Sequence, residues 1–352
     1  MMNGILRPVN VAVALAAVVL FAGCTTLPEV TPYAESTASL AASAGTHYGD
    51  VADEVAALKA VQMPGESSAA FTLREAQIRE AKKSFAATEK ALNRLFAAMT
   101  DYSEKVAALA AAGEGGSEAA ASLKESLQGF AELAGMGGLP TGSVASAVGK
   151  GFEKIADAFT KMEAKQSLAE ALEAADPGVE IVAGQFEVIY GTALTQAAGA
   201  IRNTKKLEAS MEAGPAVIGF DANVRRNYDA YYRYLNGIVT DVDPDVPGSA
   251  WRGFCREPEG SCRAVNELEA VALVEARMEA IRPIVTEYDR KIEAIEKAYR
   301  QRLKAGKAVV KAVRAWAREH GKLRESLAEG TDLKAYGLKA ALEELQSRLE
   351  HL

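Results

Sequence analysis

Lys150 sits between two glycines at the end of residues 129–151, GFAELAGMGGLPTGSVASAVGKG, and this is the chain's nearest approach to a phosphate-binding loop. That chemistry has strict needs. Backbone N–H groups cradle the phosphates, a glycine stands five places before the Gly-Lys pair, and Ser or Thr follows the lysine. Val144 and Gly151 occupy those two places, and no strand precedes them. A helix–helix linker is the better reading. The stretch is also almost uncharged, with Glu132 the one charge between Gly129 and Gly149, so a membrane-active hairpin has to be weighed. Its many glycines and Pro140 leave too few large apolar side chains for that role.

Other catalytic arrangements fail on the same kind of test. Three histidines, His47, His320 and His351, point away from a multi-histidine metal site. No HExxH is present, no serine, histidine and acid form a recognisable nucleophile set, and no glycine fingerprint follows a strand. No catalytic residue, metal ligand or cofactor is therefore assigned, and the expectation is a protein that is not an enzyme. A net charge of −7 argues against a nucleic-acid partner, which needs a basic face to displace counterions from phosphates.

Two stretches suit binding instead. In NYDAYYRYLNG, Tyr228, Tyr231 and Leu235 share a helical face and pack inward, which leaves Tyr232 and Tyr234 more exposed. Beside Arg225, Arg226 and Arg233 they form a candidate partner-binding patch, although core packing with a tyrosine rim is the favoured reading. Residues 297–318 hold eight Lys or Arg and no acid. They could meet anionic headgroups or an acidic partner. The favoured reading is structural: Val309, Val313 and Trp316 continue a core seam, and the cations complement a helix C-terminus.

Cys24 raises a different question. It follows VAVALAAVVLFA, an uncharged run too short to span a bilayer, which takes about 20 residues. Arg7 lies upstream, giving the charged and apolar regions of a secretory signal. LFAG before Cys24 resembles the lipobox of bacterial lipoprotein precursors, with Phe21 where leucine is commonest in that family and Leu20 one place earlier. The resemblance is confined to residues 1–28. It implies cleavage between Gly23 and Cys24 and a lipid on Cys24, whose several acyl chains anchor lastingly. Thr25, rather than aspartate, implies the outer membrane, with the body in the periplasm or at the cell surface.

Export also implies an oxidising compartment. Cys255 and Cys262, with six residues between them including Pro258 and Gly260, are then expected to form a disulfide. Two thiols without a nearby histidine make a poor zinc site, and the spacing is not that of a catalytic CxxC. Closing so short a loop contributes roughly 2–3 kcal/mol.

The elements that carry these residues read as helix after helix. Phe71, Ile78, Phe85, Leu92, Met99 and Val106 recur every seventh residue, with Ala81, Thr88, Leu95, Tyr102 and Leu109 three places on. This heptad predicts a helix over 68–112, capped by Ser67 or Ser68 and ended by Gly113. A second heptad (Val271, Met278, Val285, Ile292, Tyr299, Val313, with Gly306 interrupting) predicts a helix over 263–320, kinked at Pro283 and stopped by Gly321. Shorter helices are expected from SEAAASLKESLQGFAEL, over 143–175, from the Asp176-Pro177 boundary to 212, over 216–239 and over 332–350. No alternating strand pattern is present.

The expected fold is all-α, an elongated antiparallel bundle with two long heptad-patterned helices. Residues 1–23 are read as signal peptide, 24–35 as lipidated tether and 36–352 as one domain. The expected function is that of an outer-membrane-anchored binding or structural component with an envelope protein partner. Long helices around a weakly polar hairpin superficially resemble the haemolysin E type of pore-forming toxin, so a membrane-active protein is the first alternative. An enzyme of unrecognised type is the second.

Overall fold

The computed structural model describes residues 30–62, 66–112, 117–133, 150, 153–155, 168–214, 217–218, 221, 267–329 and 336–350. Six helices account for nearly all of them: α1 (Thr31–Ala57), α2 (Ser68–Ala112), α3 (Ser117–Ala131), α4 (Leu168–Ala213), α5 (Glu267–Glu329) and α6 (Tyr336–Leu349). No strand occurs among the described residues. The protein is an all-α helical bundle, as the heptads predict. Among the described residues the two expected heptad-patterned helices are α2 and α5, of 45 and 63 residues, and α4 is a further long one of 46.

Side-chain contacts set the helix directions. Tyr33, near the start of α1, stacks on Trp316, near the end of α5, with ring centroids 6.4 Å apart. Glu54, near the end of α1, pairs with Arg302, so α1 and α5 run antiparallel. Gly45 lies beside Asn93 and Gly49 beside Glu89, which makes α1 antiparallel to α2 as well. Tyr48 against Tyr190 and Glu54 with Lys205 run α1 parallel to α4. Arg202–Glu296, Glu187–Arg314 and Asp176–His320 hold α4 antiparallel to α5. Lys311–Glu344 returns α6 along α5.

The heptads become the core where a neighbour covers them. Phe85, Thr88, Leu92, Leu95, Met99, Tyr102, Val106 and Leu109 are all buried, whereas Phe71 and Ile78 in the first turns of α2 are only partly so. On α5, Val309, Val313 and Trp316 are buried, while Ile281, Ile292, Ile295 and Tyr299 nearer its start are half-buried. The core fills with rings, among them Tyr33, Tyr48, Tyr102, Phe130, Phe186, Tyr190 and Trp316, each under 2% exposed.

Gly306, an interruption in the sequence pattern, is a close-approach site: the side chain of Leu194 on α4 occupies the space a Cβ there would need. Gly214 closes α4 at φ +86°, the left-handed conformation that glycine adopts at no steric cost, so this helix ends within a residue of the expected 212. Ser67 caps α2 as expected, its Oγ accepting from the Ala70 N–H at 3.3 Å.

Three boundaries are corrected. The stretch read as tether to residue 35 is already helix from Thr31, and Tyr33 within it is fully buried. Pro32 lies in the first turn of α1, where a missing N–H costs nothing, so it is a start signal and not a linker residue. Asp176-Pro177 is no boundary, because α4 runs through it from Leu168. The carbonyl that Pro177 leaves without a donor belongs to Glu173, and both residues are on the solvent face. Gly321 does not stop α5, which continues to Glu329. The last expected helix is present over Tyr336–Leu349, its expected start at 332 lying outside the described residues.

Candidate functional site

Cys24, the Cys255–Cys262 pair, the Arg225, Arg226, Tyr232, Arg233 and Tyr234 patch, and most of the 129–151 stretch lie outside the described residues. Among the described residues two arrangements merit chemical scrutiny: a buried histidine network and a cationic face.

The network joins α2, α4 and α5. His320 Nδ1–H donates to Asp176 Oδ1 at 3.1 Å, and the hydroxyl of Tyr102 donates to His320 Nε2 at 2.7 Å. Arg324 donates to the second oxygen of Asp176 at 2.7 Å. The hydrogen bond from His320, reinforced by that guanidinium, holds the Asp176 carboxyl below its ordinary range. Next to it, Trp316 Nε1–H donates to Ser103 at 3.3 Å. An acid, a histidine and a hydroxyl in line have the connectivity of a proton relay. Access decides otherwise: Tyr102 and His320 are 0% exposed, and burial drives the Tyr102 hydroxyl far above its ordinary pKa. A hydroxyl that neither ionises nor meets solvent is no nucleophile. These residues satisfy one another and lock three helices together.

A second buried histidine behaves similarly. His47 Nδ1 and the Tyr190 hydroxyl share a hydrogen bond of 2.5 Å, and His47 Nε2 has no partner among the described residues. Burial, helped by the nearby Arg302 charge, lowers its pKa to about 4, so the ring is neutral at pH 7. Neither histidine pair was legible in the sequence, since the partners lie 143 to 218 residues apart. No group of three or more metal-ligating side chains is present among the described residues.

The cationic face is different, because solvent reaches it. Lys297, Arg300, Lys304, Lys307, Lys311, Arg314 and Arg318 follow the spacing 3-4-3-4-3-4, and all seven are exposed. At 3.6 residues per turn this is a single stripe, roughly 32 Å long. Arg302, the eighth cation of this segment, faces the other way and pairs with Glu54 of α1. Lys311 pairs with Glu344 and Arg314 with Glu187. Helix-dipole complementation does not account for the stripe, because α5 continues beyond Arg318 to Glu329 and has no basic residue in its last turn. The inward seam of Val309, Val313 and Trp316 is as expected.

Part of the stripe borders a groove of about 910 Å³ between α4 and α5. Lys307, Arg314 and Arg318 face Thr192, Thr195 and Gln196 across it, and Glu187 is the sole acid among its described lining residues. No helix among the described residues is long and apolar enough to cross a membrane.

Fold and face together define a helical bundle with one cationic side. Compared with protein-family models, with curated proteins and with solved structures, the chain matches none.

Proposed function

We propose that the protein is an outer-membrane lipoprotein whose helical body serves as a binding or structural component of the cell envelope, with a protein partner there. The observation that carries this is the placement of Cys24, behind an apolar run and two small residues and only six residues before Val30, the first described residue, which is buried in the core. Six peptide units reach roughly 20 Å at most, so a lipid on Cys24 would hold the body close to the bilayer surface. The other two cysteines, Cys255 and Cys262, form a disulfide in this reading, as an exported chain permits.

Palmitate labelling tests the anchor. The wild-type chain should incorporate label and fractionate with the outer membrane, and Cys24→Ser should remain an unlabelled precursor. A Cys24→Ser chain that is processed and retained normally would refute the anchor. In the same preparation, alkylation without reductant should leave Cys255 and Cys262 unmodified. Affinity capture from detergent-solubilised envelopes should recover a partner repeatedly, and consistent failure to do so would count against the scaffold role.

A further inference from the structure

We propose that the cationic stripe of α5 docks on anionic phospholipid headgroups of the membrane that holds Cys24, an inference that rests on the lipid-anchor reading. Charge comes first. The chain is acidic overall, yet α5 carries no acid between Glu296 and Glu319, and the stripe's seven cations line one exposed side. Lys297, Arg300, Lys304, Lys307 and Arg318 have no acid partner among the described residues, so no intramolecular pairing explains why they are aligned. A solvated face needs charges; it does not need them of one sign in register over six turns.

The neighbouring surface supports a bilayer over an acidic protein. On α4, Gly191 and Thr195 line the groove that the stripe borders, and Gly184 and Val188 continue the same uncharged helical row, with Val188 47% exposed. No described atom lies within 4 Å of a Cβ built on Gly184 or Gly191, so nothing in the bundle requires glycine there. A cationic row beside a weakly apolar one is the composition that an anionic interface favours. Reach is sufficient as well. Positions 300 and 304 lie about 160° around α5 from Arg302, which faces α1, so the stripe is on the far side of α5 from the tethered helix. A helix is about 10–12 Å across, whereas the tether reaches roughly 20 Å.

Vesicle flotation of the mature chain, extracted in detergent, separates anchor from face. Vesicles of phosphatidylcholine alone should capture the chain through its acyl chains. Including phosphatidylglycerol should protect Lys304 and Lys307 from an amine-reactive reagent by at least about fivefold, the contribution of a single cation near an anionic surface. Lys83 on α2 serves as the reference lysine and should label equally in both. Raised salt should erase the protection. Lys304→Gln with Arg318→Gln, both exposed and unpaired among the described residues, should expose Lys307 to the reagent again. Equal labelling of Lys307 in the two vesicle types overturns the proposal. Protection in native envelopes but not on phosphatidylglycerol overturns it too, and points to an acidic protein. A chain that ignores phosphatidylcholine yet is captured by phosphatidylglycerol with Lys307 protected supports the face and sinks the anchor.

Discussion

Leu194 of α4 fills the space beside Gly306 of α5 that any larger residue would need, with the Tyr190 ring next to it. This contact lets the two longest helices approach closely at mid-length. Gly306→Val should therefore overpack a full core and destabilise the protein by about 1–3 kcal/mol, measured by chemical denaturation. Gly199→Ala, on the same pair of helices but with nothing within 4 Å of the new Cβ, should stabilise by roughly 0.5–1 kcal/mol. Similar effects of one sign at both sites would show that Gly306 is not a packing site.

The Tyr102–His320–Asp176 network predicts a cost without a catalytic signature. Tyr102→Phe keeps the ring but removes the proton donated to His320 Nε2, leaving a buried acceptor unpaired. The expected loss is about 1–3 kcal/mol. A double-mutant cycle with His320→Gln should show coupling of roughly 0.5–3 kcal/mol, because the two groups share one network. Additive losses would mean that the hydrogen bond does not hold α2 to α5.

Acid should unfold the protein in two stages. His47 titrates near 4 when folded and near its ordinary 6.5 when unfolded, so the unfolded chain binds the extra proton first. Stability is full above about pH 6.5 and falls as pH drops through the window to 4, by roughly 3 kcal/mol in total. The carboxyls of Asp176 and Glu54 are depressed instead. For Asp176 the His320 hydrogen bond is the main cause; for Glu54, burial pushes upward but Lys205 and Arg302 outweigh it. Their contributions are kept above the ordinary carboxylate range and lost below it. His47→Asn should flatten the melting-temperature slope between pH 6.5 and 4.5 and leave the steeper loss at lower pH. An unchanged slope would remove His47 as its source.

What the sequence disclosed follows from the range over which each signal acts. Heptads are local and repeated, so Leu92, Met99, Val106, Val309 and Trp316 could be placed on seams before any partner was known. Gly214 and Ser67 carried their backbone roles in their residue types. Signals that depend on context misled: Pro32, Pro177 and Gly321 are commonly breakers, but a helix start, a solvent-facing carbonyl and continued packing on both sides remove their penalty. The His320 network is non-local, and nothing in the sequence near Tyr102 or Asp176 announces a partner on α5. The cationic segment was visible as composition. Its alignment into one exposed stripe, and the continuation of α5 beyond it, required the helix to be seen at full length.

α1 also has a mechanical meaning. A pull on the chain upstream of Val30 enters at the first turn of α1, and Tyr33, Leu40, Ala44 and Tyr48 lie buried along its axis against α2, α4, α5 and α6. Those contacts are loaded in parallel and in shear, so α1 must slide past all its neighbours at once instead of peeling away one turn at a time. A pull taken up through α1 is therefore resisted along the whole length of that helix.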